Sequence, residues 1–162
     1  NAGTSTYQMV HLLTNMDKQI FTNSFPIAEH LLQYSKNQLT LPGGTLYREQ
    51  NIILSPFEND VTKNFCALRM FMGAHSVGRL GLMESDPLVI QSEQKLLGQA
   101  DELVVLADAS KFERRSSLLI CSLDRIDVLI TDDRIADTSV NMLEAAGVKV
   151  VVADVKSAAN TG

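Results

Sequence analysis

The sequence predicts an α/β, doubly wound fold: a mostly parallel sheet with helices on both faces. Residues 102–107, 118–121, 128–131 and 148–153 are apolar runs rich in β-branched side chains and show little alternation, the pattern of strands buried on both faces. Among them lie segments whose apolar residues recur at helical spacing, and strands alternating with helices specify a parallel sheet.

The elements follow in order. Asn1 and Ala2 read as the scar of tag removal. Tyr7, Val10, His11, Leu12 and Leu13 fall at helical spacing behind a Thr-Ser-Thr cap signal. Residues 19–22 read as a short strand. Pro26 suits the first turn of a second helix carrying Ile27, Ala28, Leu31, Leu32 and Tyr34. A strand at 38–41 is ended by Pro42-Gly43-Gly44, and residues 51–54 form an edge strand. Asp60 caps a helix reaching about Cys66, which leads into the apolar strand 68–72. Residues 87–100 make another helix, opened by Pro87. The helix at 138–146, closed by Gly147, joins the last two strands. The tail 157–162 is small and polar and is expected to fray.

Composition narrows the function classes. At 162 residues there is room for one domain, and 45% hydrophobic against 20% charged residues is enough to fill a packed core. No stretch approaches the roughly 18 apolar residues of a membrane span. No basic flank precedes a long apolar run, so no secretory signal is visible and a cytoplasmic location is expected. With 14 basic and 19 acidic residues the net charge is −5, and no basic patch offsets it; this stretch by itself should not grip nucleic acid. Cys66 and Cys121 lie far apart without neighbouring ligands, which excludes a disulfide framework or metal site; both are expected to be buried, reduced thiols. No cofactor is expected.

Ligands of open α/β sheets bind beyond the carboxyl ends of the strands. Three segments belong there. Gly3, Thr4, Ser5 and Thr6 open a helix, where free amides and hydroxyls suit a phosphate or carboxylate; the ordinary alternative is a cap serving only the helix. Residues 106–112 follow a strong strand. There Lys111 can place a mobile cation over the sheet edge, with Asp108 orienting it or capping the turn, or can be a solvated loop lysine; Phe112 is read as packing. Residues 72–78 combine glycines with His75 and Ser76, and a lone histidine is more often structural than functional. Arg48 is an anion contact or a surface charge, with the surface favoured. Glu93 and Lys95, with Glu84 and Asp86, are either an exposed charged face or, for Glu93, a partner of sugar hydroxyls or a general base.

Taken together, GTST at residues 3–6, TNSFPIA at 22–28, PGG at 42–44, ADASKF at 107–112 and DVLITDD at 127–133 resemble the effector-sensing domain of DeoR-family transcriptional repressors, in order and spacing, across nearly the whole chain. That resemblance implies a fold shared with ribose-5-phosphate isomerase and CoA transferases, a phosphorylated sugar or polyol as ligand, and self-association. It implies that DNA is bound only through an N-terminal winged helix-turn-helix, which nothing here resembles. Residues 3–156 are then an effector-sensing domain cut at its N-terminus, inside the phosphate-loop motif. By the same resemblance the phosphate rests on Gly3, Thr4, Ser5 and Thr6 with Lys111 as counter-charge. Asn23, Gly43, Gly44 and Glu93 line the sugar end, with His75 and Asp108 as further candidates there. The isomerase shares the ADASK segment but carries an acidic DGAD-type stretch where GAHSVG stands here, so binding is favoured over turnover. The alternatives are a sugar-phosphate isomerase-like enzyme with Glu93 as base, and an oligomerisation module with a vestigial pocket.

Overall fold

In a computed structural model, which describes residues 3–57 and 60–154, the chain opens with helix α1 (Thr4–Val10), extended by a 3-10 turn at His11–Leu13. Strand β1 (Gln19–Phe21), helix α2 (Phe25–Tyr34) and strand β2 (Gln38–Thr40) follow, and β1 pairs with β2 in parallel, Ile20 beside Leu39. Val10, Ile27 and Leu31 form a small core here, with Ile20 and Leu39 packed against it. The periodicity of residues 27–34 explains it: Ile27, Ala28 and Leu31 share the buried face of α2, while Leu32 and Tyr34 point outward.

A hairpin of β3 (Thr45–Tyr47) and β4 (Ile52–Leu54) comes next, then a 3-10 turn at Val61–Asn64 and strand β5 (Ala67–Gly73). Strands β6 (Ser76–Gly78) and β7 (Gly81–Glu84) form a second hairpin ahead of helix α3 (Pro87–Leu97). Strand β8 (Ala100–Leu106), a 3-10 turn at Ala109–Phe112, β9 (Leu118–Cys121), β10 (Val128–Asp132), helix α4 (Asp137–Ala145) and β11 (Lys149–Ala153) complete the described chain.

The class is α/β: a parallel sheet in the order β11-β10-β8-β5, flanked by helices. Its principal core joins Met72, Leu103, Val105, Leu129 and Leu143, each fully buried. Burying one such leucine contributes about 1.5–3 kcal/mol. Strands β5, β8 and β10 end at Gly73, Leu106 and Asp132, so the loops that follow them share one edge of the sheet.

Several local expectations need correction. Residues 118–121 are not a strand of the parallel sheet: β9 pairs antiparallel with β7 in a three-stranded sheet, β6-β7-β9. The segment 122–127 is too short for a parallel crossover, which takes a dozen or more residues. The helix from Asp60 to Cys66 is only the turn Val61–Asn64, although Asp60 does cap it by accepting the Thr62 amide at 2.8 Å. Strand β11 is not buried on both faces but largely exposed at the sheet edge, and residues 76–78, read as loop, form β6. Cys66 is exposed rather than buried, and Cys121 is half-buried. Residues 1–2, the supposed tag scar, and 157–162, the supposed frayed tail, lie outside the described residues, as do 155 and 156.

Candidate functional site

A cleft of about 630 Å³ opens at the carboxyl ends of β5 and β8. One wall is the start of α1. Gly3 is its N-cap, with φ +147, and a Cβ there would lie 3.2 Å from Thr6 Oγ1 and 3.7 Å from Gly73 Cα. The residue is glycine because the backbone turns here through a conformation that L side chains resist, hard against the end of β5. Gly3, Thr4 and Ser5 line the cleft, and Thr4 and Ser5 are exposed. The first amides of α1 lie beyond the reach of intrahelical acceptors, which leaves them as donors.

The opposite wall comes from β8 and its loop. Asp108 caps the turn Ala109–Phe112 by accepting the amide and the hydroxyl of Ser110. Those hydrogen bonds, with the nearby Lys111 charge, hold the Asp108 carboxyl below the usual carboxylate range despite some burial. Lys111 rides on that turn and lines the cleft, in no ion pair among the described residues. Asp132, at the end of β10, holds the turn from beneath. Its Oδ2 accepts the Ala109 amide at 2.9 Å, and its Oδ1 accepts Arg134 Nε at 2.8 Å. The Arg134 guanidinium, then the Ala109 amide, keep the Asp132 carboxyl far below its ordinary pKa.

Comparison with known proteins decides what kind of domain carries this cleft. The family model for the DeoR C terminal sensor domain matches residues 1–133. This chain belongs to the DeoR family. It is similar to the HTH-type transcriptional regulators UlaR of Shigella dysenteriae serotype 1 (strain Sd197) and of Escherichia coli (strain K12 / DH10B), each 30% identical over 151 residues. Those alignments take in 93% of this chain and 60% of each relative, so the chain spans about three fifths of the relatives' length. The relatives carry the names of regulators, not of enzymes.

In this DeoR-family domain the cleft brings together seven of the residues singled out from the sequence: Gly3, Thr4, Ser5, His75, Glu93, Asp108 and Lys111. Glu93 is buried on the inner side of α3, which removes the exposed-face reading for it. His75 Nδ1 lies 3.8 Å from Glu84 Oε1, a partner that the sequence did not suggest.

Four expected residues lie elsewhere. Thr6 is buried, and its hydroxyl donates to the Gly3 carbonyl at 2.9 Å, so it braces the helix start rather than facing the cleft. Asn23 is buried beside a separate cavity of about 220 Å³, its Nδ2 donating to Ser92 Oγ at 3.0 Å. The TNS segment is a strand-to-helix junction stitched to β4: the Asn23 carbonyl accepts the Ile53 amide, and the Asn51 carbonyl accepts the Phe25 amide. Gly43 and Gly44 sit in the connection from β2 to β3 and line neither cavity. Gly44 is required there by packing, since a Cβ would fall 2.1 Å from the Leu54 carbonyl oxygen at φ +152. Arg48 is exposed and does not line the cleft, and Lys95 Nζ binds the Ser55 and Phe57 carbonyls and Asp60.

Sequence reading missed the β3–β4 turn, which supplies Glu49, Gln50 and Asn51 to the cleft, and took Glu84, at the end of β7, only for part of a charged face. Asn51 has φ +52, a backbone state that asparagine tolerates; an asparagine between two apolar runs was the available signal for a turn. Nothing local signalled that this turn would reach the sheet edge.

Proposed function

We propose that this chain is the effector-sensing part of a transcriptional regulator, binding a phosphorylated sugar in the 630 Å³ cleft and thereby biasing DNA binding by a domain outside these residues. The observation that carries the reading is the meeting of two segments distant in sequence, Gly3-Thr4-Ser5 and Lys111, on one cleft at the sheet's carboxyl edge. Backbone amides and hydroxyls at the helix start supply directed donors, and Lys111 supplies a compact cation; together these suit a phosphate ester. The sugar faces the β3–β4 turn, His75 and the α3 side of the cleft, where Glu49, Glu84 and Glu93 accept hydrogen bonds from hydroxyls.

Such a site senses rather than converts. Regulation requires that the ligand bind the DNA-competent and released states with different affinity, and closure of loops over the cleft is the means proposed here. Self-association of the regulator belongs to the same reading. A melting-temperature screen of phosphorylated and unphosphorylated sugars tests it. A specific phosphate ester at about 100 times its dissociation constant should stabilise the fold by roughly 2.7 kcal/mol. Equal response to both classes, or none to either, rejects the reading.

A further inference from the structure

The cavity of about 220 Å³ beside Asn23 shares no lining residue with the cleft. We propose that it is a second ligand site, independent of the sensor reading, for a small neutral molecule with an apolar body and one hydroxyl group. Pro42, Ile53, Leu54, Pro56, Leu88 and Leu96 make much of its wall apolar, drawn from the β3–β4 hairpin, its flanking loops and α3. Asn23 enters that wall from the junction between β1 and α2. Its side chain points to a ligand. The residue is 1% exposed and its Nδ2 donates to Ser92 Oγ at 3.0 Å, yet its Oδ1 accepts no hydrogen bond among the described residues. Folded proteins satisfy nearly all such buried atoms. A hydroxyl complements either orientation of the Asn23 amide, because it both donates and accepts, as Ser92 does. Water would satisfy Asn23 but leave the leucine and proline wall wet; an alcohol covers both.

The charges at this cavity are already matched. Lys95 and Asp60 are the ionisable side chains that line it among the described residues, and they pair at 3.3 Å. The ammonium hydrogens of Lys95 are taken up by the Ser55 carbonyl at 3.1 Å, the Phe57 carbonyl at 2.8 Å and Asp60 Oδ2. Asp60 Oδ1 accepts the Thr62 amide at 2.8 Å. An anion would find no free ammonium hydrogen, and a cation would compete with Lys95 for a carboxylate already engaged, so the occupant is neutral. Size limits it further. An apolar cavity of roughly 150 Å³ binds benzene, so the space beside Asn23 takes a six-membered ring together with its hydroxyl.

The test is amide-resolved NMR titration of the 162-residue chain with phenol and cyclohexanol, with toluene as the probe that lacks the hydroxyl, and with benzoate and benzylamine as ionised probes. Phenol or cyclohexanol should bind with a dissociation constant of about 1 mM or tighter. Binding should shift the amides of Ile53, Leu54, Ser92 and Leu96 and not those of Thr4, Ser5 and Lys111. Toluene and the two ionised probes should bind at least about fivefold more weakly, the worth of one hydrogen bond. Asn23→Leu should bring phenol and toluene within about twofold of each other. Leu88→Trp offers a second variant that spares the core: Leu88 is 45% exposed and lines the cavity, so the larger ring should block it and abolish phenol binding in a folded chain. The proposal is overturned by no binding from either alcohol, by toluene or an ionised probe matching phenol, or by shifts that avoid the cavity. Phenol binding that survives Leu88→Trp, or a hydroxyl preference that survives Asn23→Leu, overturns it equally. No probe carries a phosphate, so each of these results leaves the sensor reading standing.

Discussion

The Asp132 carboxylate at the end of β10 accepts the Ala109 amide hydrogen at 2.9 Å, tying one strand end to the turn that carries Lys111 on the next. Asp132 is buried, and its other oxygen accepts from the Arg134 side chain and amide. Asp132→Ala should therefore cost about 2 kcal/mol, the scale for losing buried hydrogen bonds to a charged group. It should also weaken phosphate-bearing ligands more than their free sugars, because the turn under Lys111 loosens. Urea unfolding and calorimetry measure the two effects; an unchanged midpoint with unchanged preference contradicts the role.

Acid should erode the fold through the same kind of group. Burial pushes the Asp60 carboxyl up, but the Thr62 hydroxyl and amide and the Lys95 ammonium outweigh it and hold the pKa at about 2. Asp132 is shifted in the same direction. A carboxylate depressed in the folded state contributes stability that is present above its unfolded pKa of about 3.9 and is lost as pH falls through its folded value. Urea midpoints should hold between pH 7 and 5 as far as these two groups are concerned, then fall below about pH 4. A midpoint that rises on acidification below pH 4 opposes this assignment.

The adjacent glycines at 43 and 44 should respond differently to alanine. Nothing lies within 4 Å of a Cβ built at Gly43, so Gly43→Ala should change stability by less than about 0.5 kcal/mol. Gly44→Ala would press against the Leu54 carbonyl at an unfavourable φ and should cost about 2 kcal/mol or more. Neither should alter which sugars bind, since neither residue lines the cleft. A ligand preference changed by Gly43→Ala would support the sugar-end role that the sequence resemblance implied for it.

The two thiols should be kinetically distinct. Cys66 is exposed, whereas burial pushes the half-buried Cys121 thiol up to about 11 and leaves little thiolate at neutral pH. Titration of the native protein with a thiol-disulfide exchange reagent at pH 7.5 or so should show one fast equivalent, and Cys66→Ser should remove it. Two fast equivalents would contradict this placement.

The parallel sheet was legible because its inner strands are continuous apolar runs, and residues 103–105 and 129 are indeed buried. The same logic misplaced residues 118–121: an apolar run does not state its direction, and the shortness of 122–127 was the evidence against a crossover. The two cleft walls could be read because Gly-Thr-Ser and Asp-Ala-Ser-Lys follow local rules for helix starts and strand ends. Asn23 and Gly44 could not be placed, since their roles come from contact with Ile53 and Leu54 across the chain. Glu49, and the place of Glu84 in the cleft, escaped for the same reason: a hairpin's sequence gives its turn but not the surface that the turn will meet.

The most direct measurement is isothermal calorimetry of the unmodified chain and of Lys111→Ala, each titrated with a bound phosphate ester and with its unphosphorylated sugar. The account predicts that the substitution lowers affinity for the phosphate ester by about tenfold or more and leaves affinity for the free sugar within about twofold. An undiminished preference for the phosphate ester in Lys111→Ala would contradict it.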